Sequence, residues 1–262
     1  MTDQKIQFND GAAYEQMMGI WSRLAGEVFL DWLAPAPGLR WIDIGCGNGA
    51  FTQLLVERCA PAEVHGIDPS EEQLAFARTR LTPGAADFRQ GDAMNLPFAA
   101  DSFDAAIMAL VLVFVPEPAK GLAEMVRVVR PGGTVATYMW DMLGGGFPLD
   151  PILAEVRAMG LAPLRPPRME ASRMEALRRL WRDAGLQGVR TREIAVHRAF
   201  ATFDDFWNTN MKSPALGPVV AAMAAGDRDA LRKRVGDALA AGADGSITCA
   251  ARAHAVKGYR AR

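Results

Sequence analysis

The stretch Trp41-Ile-Asp-Ile-Gly-Cys-Gly-Asn-Gly49 gathers residues suited to holding a ligand: a carboxylate, Asp43, followed by three alternating glycines, Gly45, Gly47 and Gly49. Glycines at this spacing let the backbone turn sharply and let a ligand approach with no side chain in the way. A helix starting behind them presents unpaired N–H groups and the positive end of its dipole to an anionic part of that ligand. Asp68 lies nineteen residues beyond Gly49, and Gly91-Asp92-Ala93 follows later. In doubly wound sheets an acid at the end of the second strand accepts hydrogen bonds from the two ribose hydroxyls. Each acid alone reads as a solvated loop carboxylate, and the glycine turn alone as a tight turn of any α/β protein. Together, each at the C-terminal end of a strand, they point to one nucleoside site. The dinucleotide fingerprint Gly-x-Gly-x-x-Gly is missing, because position 50 is Ala, and no Lys follows Gly49 as a phosphate loop requires. Asp43 suits an ammonium group better than a pyrophosphate. The chemistry is that of an adenosine bearing an amino-acid tail.

An alternation of strands and helices must carry these residues. Gly11 to Leu33 reads as helix, with Tyr14, Met17, Met18, Trp21, Leu24, Val28 and Trp32 three and four apart. Pro35, Pro37 and Gly38 end it. Strands are expected at 40–44, 63–67, 86–90, 102–109 and 134–140, and helices at 50–59, 71–81 and 118–129. Arg130-Pro-Gly-Gly133 reads as a turn. Such alternation predicts a parallel sheet covered on both faces. Gly144-Gly-Gly146 then reads as a flexible break and 147–167 as a proline-rich segment. A helix at 171–184 capped by Gly185, a strand at 189–200, two or three helical pieces over 203–241 and a last strand at 247–256 complete the chain.

Composition narrows the function. Half of the 262 residues are hydrophobic and 23% are charged, which suits a chain that buries a core. Twenty-nine basic against thirty acidic residues leave a net charge of −1, which argues against a dedicated nucleic-acid or membrane-surface partner. The three cysteines, Cys46, Cys59 and Cys249, lack paired spacing, so neither a disulfide framework nor a metal site is expected, as suits a reducing cytoplasm. The longest apolar run, Ala105 to Val115, is too short for a membrane span of about 20 residues. The first ten residues lack the layout of a signal peptide. A cytoplasmic location is the expectation.

Residues 41–49 resemble the first motif of class I S-adenosylmethionine-dependent methyltransferases. Phe103 to Pro118 and Val126-Arg-Val-Val-Arg-Pro-Gly-Gly133 are similar to later motifs of the type 11, small-molecule subgroup, and Tyr14 to Arg23 to a leading helix common there. The resemblance implies an α/β fold with a Rossmann-like, doubly wound sheet of seven strands, order 3-2-1-4-5-7-6, strand 7 antiparallel. It implies an N-terminal helical lid (1–38), a cofactor-binding core (39–201), a helical insertion capping the substrate (202–245) and a last core strand (246–262). The implied cofactor is S-adenosyl-L-methionine, with S-adenosyl-L-homocysteine as product and a small-molecule methyl acceptor. Gly45, Gly47 and Gly49 would cradle the methionine portion, with Asp43 near its ammonium. Asp68 would hold the ribose hydroxyls, and Asp92 the adenine amino group with Ala93 beside the ring. Met108 and Ala109 would present backbone groups near the methionine tail. Tyr14 and Trp21 would form part of a lid, though core packing of an amphipathic helix accounts for them equally well.

The chain also departs from that family. Val113 and Phe114 stand where many relatives carry two histidines, which makes the pocket wall apolar. Ile20 replaces a common arginine, which removes one support for an anionic acceptor. His65, His197 and His254 read as structural. Cys46 reads as the small residue its turn requires. Tyr138, Asp141 and Glu15 are within plausible reach of the site, but no spacing selects one, so no catalytic side chain is assigned. Phe203, Phe206, Trp207, Met211 and Met223 are expected to form an apolar ceiling with the 144–167 segment. A non-catalytic protein that binds the same cofactor is the main alternative, and a nicotinamide-dependent oxidoreductase a lesser one. A nucleic-acid methyltransferase is disfavoured by the charge balance and by the lack of Asn/Asp-Pro-Pro-aromatic or Pro-Cys sequences.

Overall fold

The computed structural model describes residues 15–262. Seven strands form one sheet in the order β3-β2-β1-β4-β5-β7-β6. They are β1 (Arg40–Ile44), β2 (Glu63–Asp68), β3 (Asp87–Gln90), β4 (Phe103–Ala109), β5 (Val129–Trp140), β6 (Gln187–Phe200) and β7 (Ile247–Tyr259). β1 to β5 pair in parallel, and β7 runs antiparallel between β5 and β6. The expected order and the single reversed strand are both present.

Alternate residues of a strand feed opposite faces of a sheet. Trp41, Ala105 and Ile107 enter one apolar cluster, while Ile42, Ile44, Ala106 and Met108 enter the other. Burial on both sides makes such strands read as unbroken apolar runs. A π-helical turn, Glu15–Gly19, leads into α1 (Ile20–Leu33), which covers the first face with α2 (Ala50–Cys59). α4 (Pro118–Val128) and α6 (Met174–Asp183) cover the second. α3 (Glu71–Arg80) packs Leu74 and Ala77 against Cys46 and Phe88. Between β6 and β7 lie α7 (Phe203–Asn210), α8 (Gly217–Ala221) and α9 (Ala225–Ala238). Among the described residues no helix is long and apolar enough to cross a membrane.

Three local features differ from the expectation. β5 begins at Val129: Phe103 faces Val129 and Ala105 faces Thr134, so residues 130–133 form a bulge inside the strand. The proline-rich segment contains a helix, α5 (Asp150–Ala158), with Pro151 in its first turn, where a missing N–H breaks no helical bond. Residues 144–146 are pinned. Gly144 N–H donates to Asp141 Oδ1 at 2.8 Å, and the Arg252 guanidinium donates to Gly144 O at 2.7 Å and to Asp141 Oδ2 at 2.6 Å.

Candidate active site

A cavity of about 770 Å³ opens at the C-terminal ends of β1, β2, β4 and β5, where doubly wound sheets bind ligands. The glycine turn forms one of its walls. Gly45, Gly47 and Gly49 have φ of +73°, +53° and +78°, a region that glycine enters without steric cost. They serve different ends. A Cβ on Gly45 would lie 2.5 Å from Val111 Cγ2, and one on Gly49 would lie 3.0 Å from Ala77 Cβ. A Cβ on Gly47 would meet nothing within 4 Å. The outer two glycines thus let the turn pack against the loop after β4 and against α3, and the middle one leaves the cavity clear.

Asp43 lines this cavity and is fully buried. Its Oδ2 accepts from the Thr52 hydroxyl of α2 at 2.7 Å, and its Oδ1 has no partner. Burial pushes the carboxyl up to about 7, against the Thr52 bond and with help from the neighbouring Asp68. An unmatched carboxylate oxygen in a buried wall is destabilising unless a cation meets it. Asp68, nearly buried, accepts from Gly47 N–H on Oδ2 and from Ser70 N–H on Oδ1, each at 2.9 Å. Burial raises its carboxyl too, opposed by those two N–H groups. A carboxylate offers about four lone-pair positions, so both oxygens keep one for a further donor.

The far side of the cavity is apolar, with Val113, Phe114, Trp140, Met142, Phe147 and Leu216 on its walls. The π turn crosses it as a strap: Met17 and Met18 line the space. Glu15 fastens one end of the strap, bonding the Arg80 guanidinium and Asn48 Nδ2, the latter at 3.1 Å. Arg198 and Lys212 fasten the residues next to it. Arg198 donates to the carbonyls of Met17 (2.9 Å) and Gln16 (3.3 Å), and the Lys212 ammonium bonds the Gln16 side chain.

Among the sequence candidates, Asp43, Gly45, Gly47, Asp68 and Ala109 line the cavity. Gly49 sits behind it, against Ala77. Met108 is buried on the opposite face, because strand period places it across from Ala109, and its carbonyl accepts from Thr137 Oγ1 at 2.5 Å. Asp92 is exposed and turns back to accept from Met94 N–H at 2.8 Å, and Ala93 packs with the α4-side cluster. Trp21 is buried, edge-on to Trp140 at 6.5 Å between ring centroids, so packing accounts for it. Tyr14 lies outside the described residues. Of the proposed ceiling, Phe203, Phe206, Trp207, Met211 and Met223 do not line the cavity, since α7 turns its aromatic face to Phe200 of β6. The same segment instead supplies residues 213–216. The three histidines are away from the cavity; His65 lies between Glu63 and Asp87, and His254 Nδ1 meets Ser172 O at 2.8 Å. Cys46 lines the cavity with its thiol pushed well up by burial and by Asp43 and Asp68, which suits no nucleophile.

Thr52 and Asn48 are site residues that the sequence reading missed. Thr52 is a polar side chain on the buried face of α2 beside Phe51, Leu54 and Leu55, an irregularity visible in the sequence. Asn48, between two glycines, accepts from Ala50 N–H at 3.3 Å, as an Asn at a helix start does.

Residues 42–137 match the family described as "Methyltransferase domain". The chain is 40% identical over 106 residues to the demethylmenaquinone methyltransferase of Desulfitobacterium hafniense, covering 38% of this chain and 42% of that protein. It is 34% identical over 148 residues to a ubiquinone/menaquinone biosynthesis C-methyltransferase of Dinoroseobacter shibae, covering 53% of this chain and 59% of that protein. The match thus spans about half the length of these relatives. In fold it is similar to phosphoethanolamine N-methyltransferase 2 of Haemonchus contortus, solved with phosphomonomethylethanolamine and S-adenosylhomocysteine. There the TM-score is 0.59 at 18% identity, over 96% of this chain and 57% of that one. Its motifs, its sheet order and the match over 42–137 agree: residues 42–137 match a methyltransferase domain, and the chain is similar to the class I S-adenosylmethionine-dependent methyltransferases.

Proposed function

We propose that this protein transfers the methyl group of S-adenosylmethionine to a small or medium-sized, partly apolar organic acceptor. The observation that carries the reading is Asp43: a fully buried carboxylate with one unmatched oxygen, on the wall of the cavity that the glycine turn and Asp68 also line. The residues fit the cofactor. Asp43 would take its ammonium group, Gly47 would leave room for its amino-acid portion, and Asp68 would accept from its ribose hydroxyls with the lone pairs left over. Asp92 and Ala93, just past β3, are assigned to the adenine, and Ala109, with the backbone of Met108, to the methionine tail. Gly45 and Gly49 keep the turn in shape.

Bound S-adenosylmethionine supplies a methyl group already activated by a sulfonium. What remains for the chain is to hold the acceptor in line and to exclude water, and its apolar walls suit both. Positioning alone supplies roughly 7–11 kcal/mol of such a barrier. Among the described residues no free carboxylate base stands on the acceptor side: Asp150 accepts from Arg157 at 2.9 Å and from Phe147 N–H at 3.2 Å. We infer that no single side chain outside the cofactor contacts is indispensable to the chemistry. The domain plan belongs to the same proposal: lid at 1–38, core at 39–201, capping insertion at 202–245 and last strand at 246–262. The activity is assigned to the cytoplasm, with no nucleic-acid partner, in keeping with three free thiols.

Calorimetric titration with S-adenosylhomocysteine tests the reading. Binding by the native protein is expected, with loss of affinity in the double variant Asp43→Ala, Asp68→Ala. No heat from the native protein refutes it. An alanine substitution elsewhere that abolishes turnover while cofactor affinity survives refutes the claim about catalytic side chains.

A further inference from the structure

Two guanidiniums line the cavity, Arg157 and Arg165. Arg157 is neutralised, its Nη2 donating to Asp150 Oδ1 at 2.9 Å. Arg165 lines the cavity without a hydrogen bond, ion pair or ring contact among the described residues. The chain around it is stiff. Pro163 precedes it and Pro166-Pro167 follow, each with a fixed φ. Arg168 then anchors the segment to the wall beside the cavity, its N–H donating to Val113 O at 3.0 Å and its Nε to Pro116 O at 2.7 Å. Arg165 is exposed where it lines the cavity, so water screens its charge until an acceptor covers it and strengthens the pairing. Of the acids that line the cavity, Asp150 is paired with Arg157, and Asp43, Asp68 and Glu72 belong to the glycine-turn side and the α3 start, in separate segments.

We propose that Arg165 selects the acceptor, and that the acceptor joins an apolar body to one anionic group. The guanidinium pairs with that group, carboxylate, sulfonate or phosphate, through charge-assisted hydrogen bonds. Val113, Phe114, Met142 and Phe147 receive the body. This inference rests on the methyl-transfer reading of the same cavity.

The test uses the full chain saturated with S-adenosylhomocysteine and two matched probe pairs: decanoate against decanamide, and 2-naphthoate against 2-naphthamide. Calorimetry is expected to show at least one carboxylate bound about tenfold more tightly than its amide. Arg165→Gln should abolish that preference, Arg165→Lys should keep part of it, and Arg165→Glu should turn it toward decylammonium. S-adenosylhomocysteine affinity should stay within about twofold in all three variants. The inference is overturned if neither carboxylate is preferred, or if the preference survives in Arg165→Gln. It is equally overturned if Arg165→Gln weakens S-adenosylhomocysteine as much as the probes, since the guanidinium would then serve the cofactor's carboxylate. Failure of the native protein to bind S-adenosylhomocysteine overturns the methyl-transfer reading itself, and this inference with it.

Discussion

Asp43→Asn keeps the shape of the side chain and its bond from Thr52, and removes the charge. In the folded protein burial lifts this carboxyl from 3.8 to about 7. The unfolded chain ionises it near the lower value and the folded chain near the higher one. Because the folded pKa is the raised one, stability is greatest at low pH and falls as pH climbs between the two. Each pH unit in that window costs about 1.4 kcal/mol. From pH 5 upward the wild type therefore loses about 3 kcal/mol from this residue, the loss levelling off near 7. The Asn variant loses none of it. Urea unfolding across pH 5 to 8, followed by tryptophan fluorescence, should show the variant gaining on the wild type by that amount. Its affinity for S-adenosylhomocysteine should fall by about tenfold or more at pH 8, because an amide attracts an ammonium far less than a carboxylate does. Two pH–stability curves that run parallel would refute the reasoning, since the buried charge would then be destabilising nothing.

Three further outcomes follow from the same geometry. In the wild type, affinity for S-adenosylhomocysteine should fall about tenfold per pH unit below about 7, and Thr52→Val, which removes the bond holding the carboxyl down, should move the onset to higher pH; coincident calorimetric profiles would count against it. Gly45→Ala and Gly47→Ala should separate stability from binding: the first forces a Cβ to 2.5 Å from Val111 and lowers the melting temperature most, while the second costs only about 1–2 kcal/mol of left-handed strain yet weakens the cofactor more, and equal melting losses would contradict this. Arg252→Ala should cost about 1–3 kcal/mol and speed hydrogen exchange across 142–149, because Asp141, buried, loses the guanidinium that also holds Gly144; unchanged exchange there would rule the latch out.

The sheet was legible in the sequence because its strands bury both faces and its helices one, so period and punctuation marked nearly every boundary from 40 to 140. The bulge at 130–133 was not, since a Pro-Gly-Gly run has the composition of a turn, and only pairing with β4 on both sides of it shows that the strand continues through it. Asp43, Gly45, Gly47 and Asp68 could be placed at one cavity because strand ends in such sheets share an edge. Asp92 shows the limit of that rule. Its position past β3 was readable, but a short acidic side chain in a turn bonds its own backbone first, as Asp92 does with Met94 N–H. The apolar side of the cavity draws on 142–169 and 213–216 as well as on Val113 and Phe114; no periodicity was read in those two segments, so Ser213 and Arg165 carried no signal and the more conspicuous aromatics of α7 drew attention instead.

The strap over the cavity is held by ionic and polar pins at its first three residues, Glu15 to Arg80 and Asn48, and Gln16 and Met17 to Arg198 and Lys212. Asp43, by contrast, lies wholly out of reach of dissolved ions. Salt shields accessible charges over distances of about 8 Å at physiological strength and leaves buried ones nearly untouched. The surrounding electrolyte therefore acts on the hasp and spares the grip. Under the proposed cofactor assignment, the medium would adjust how readily spent cofactor is traded for fresh, while the tightness of its hold would stay with the protein.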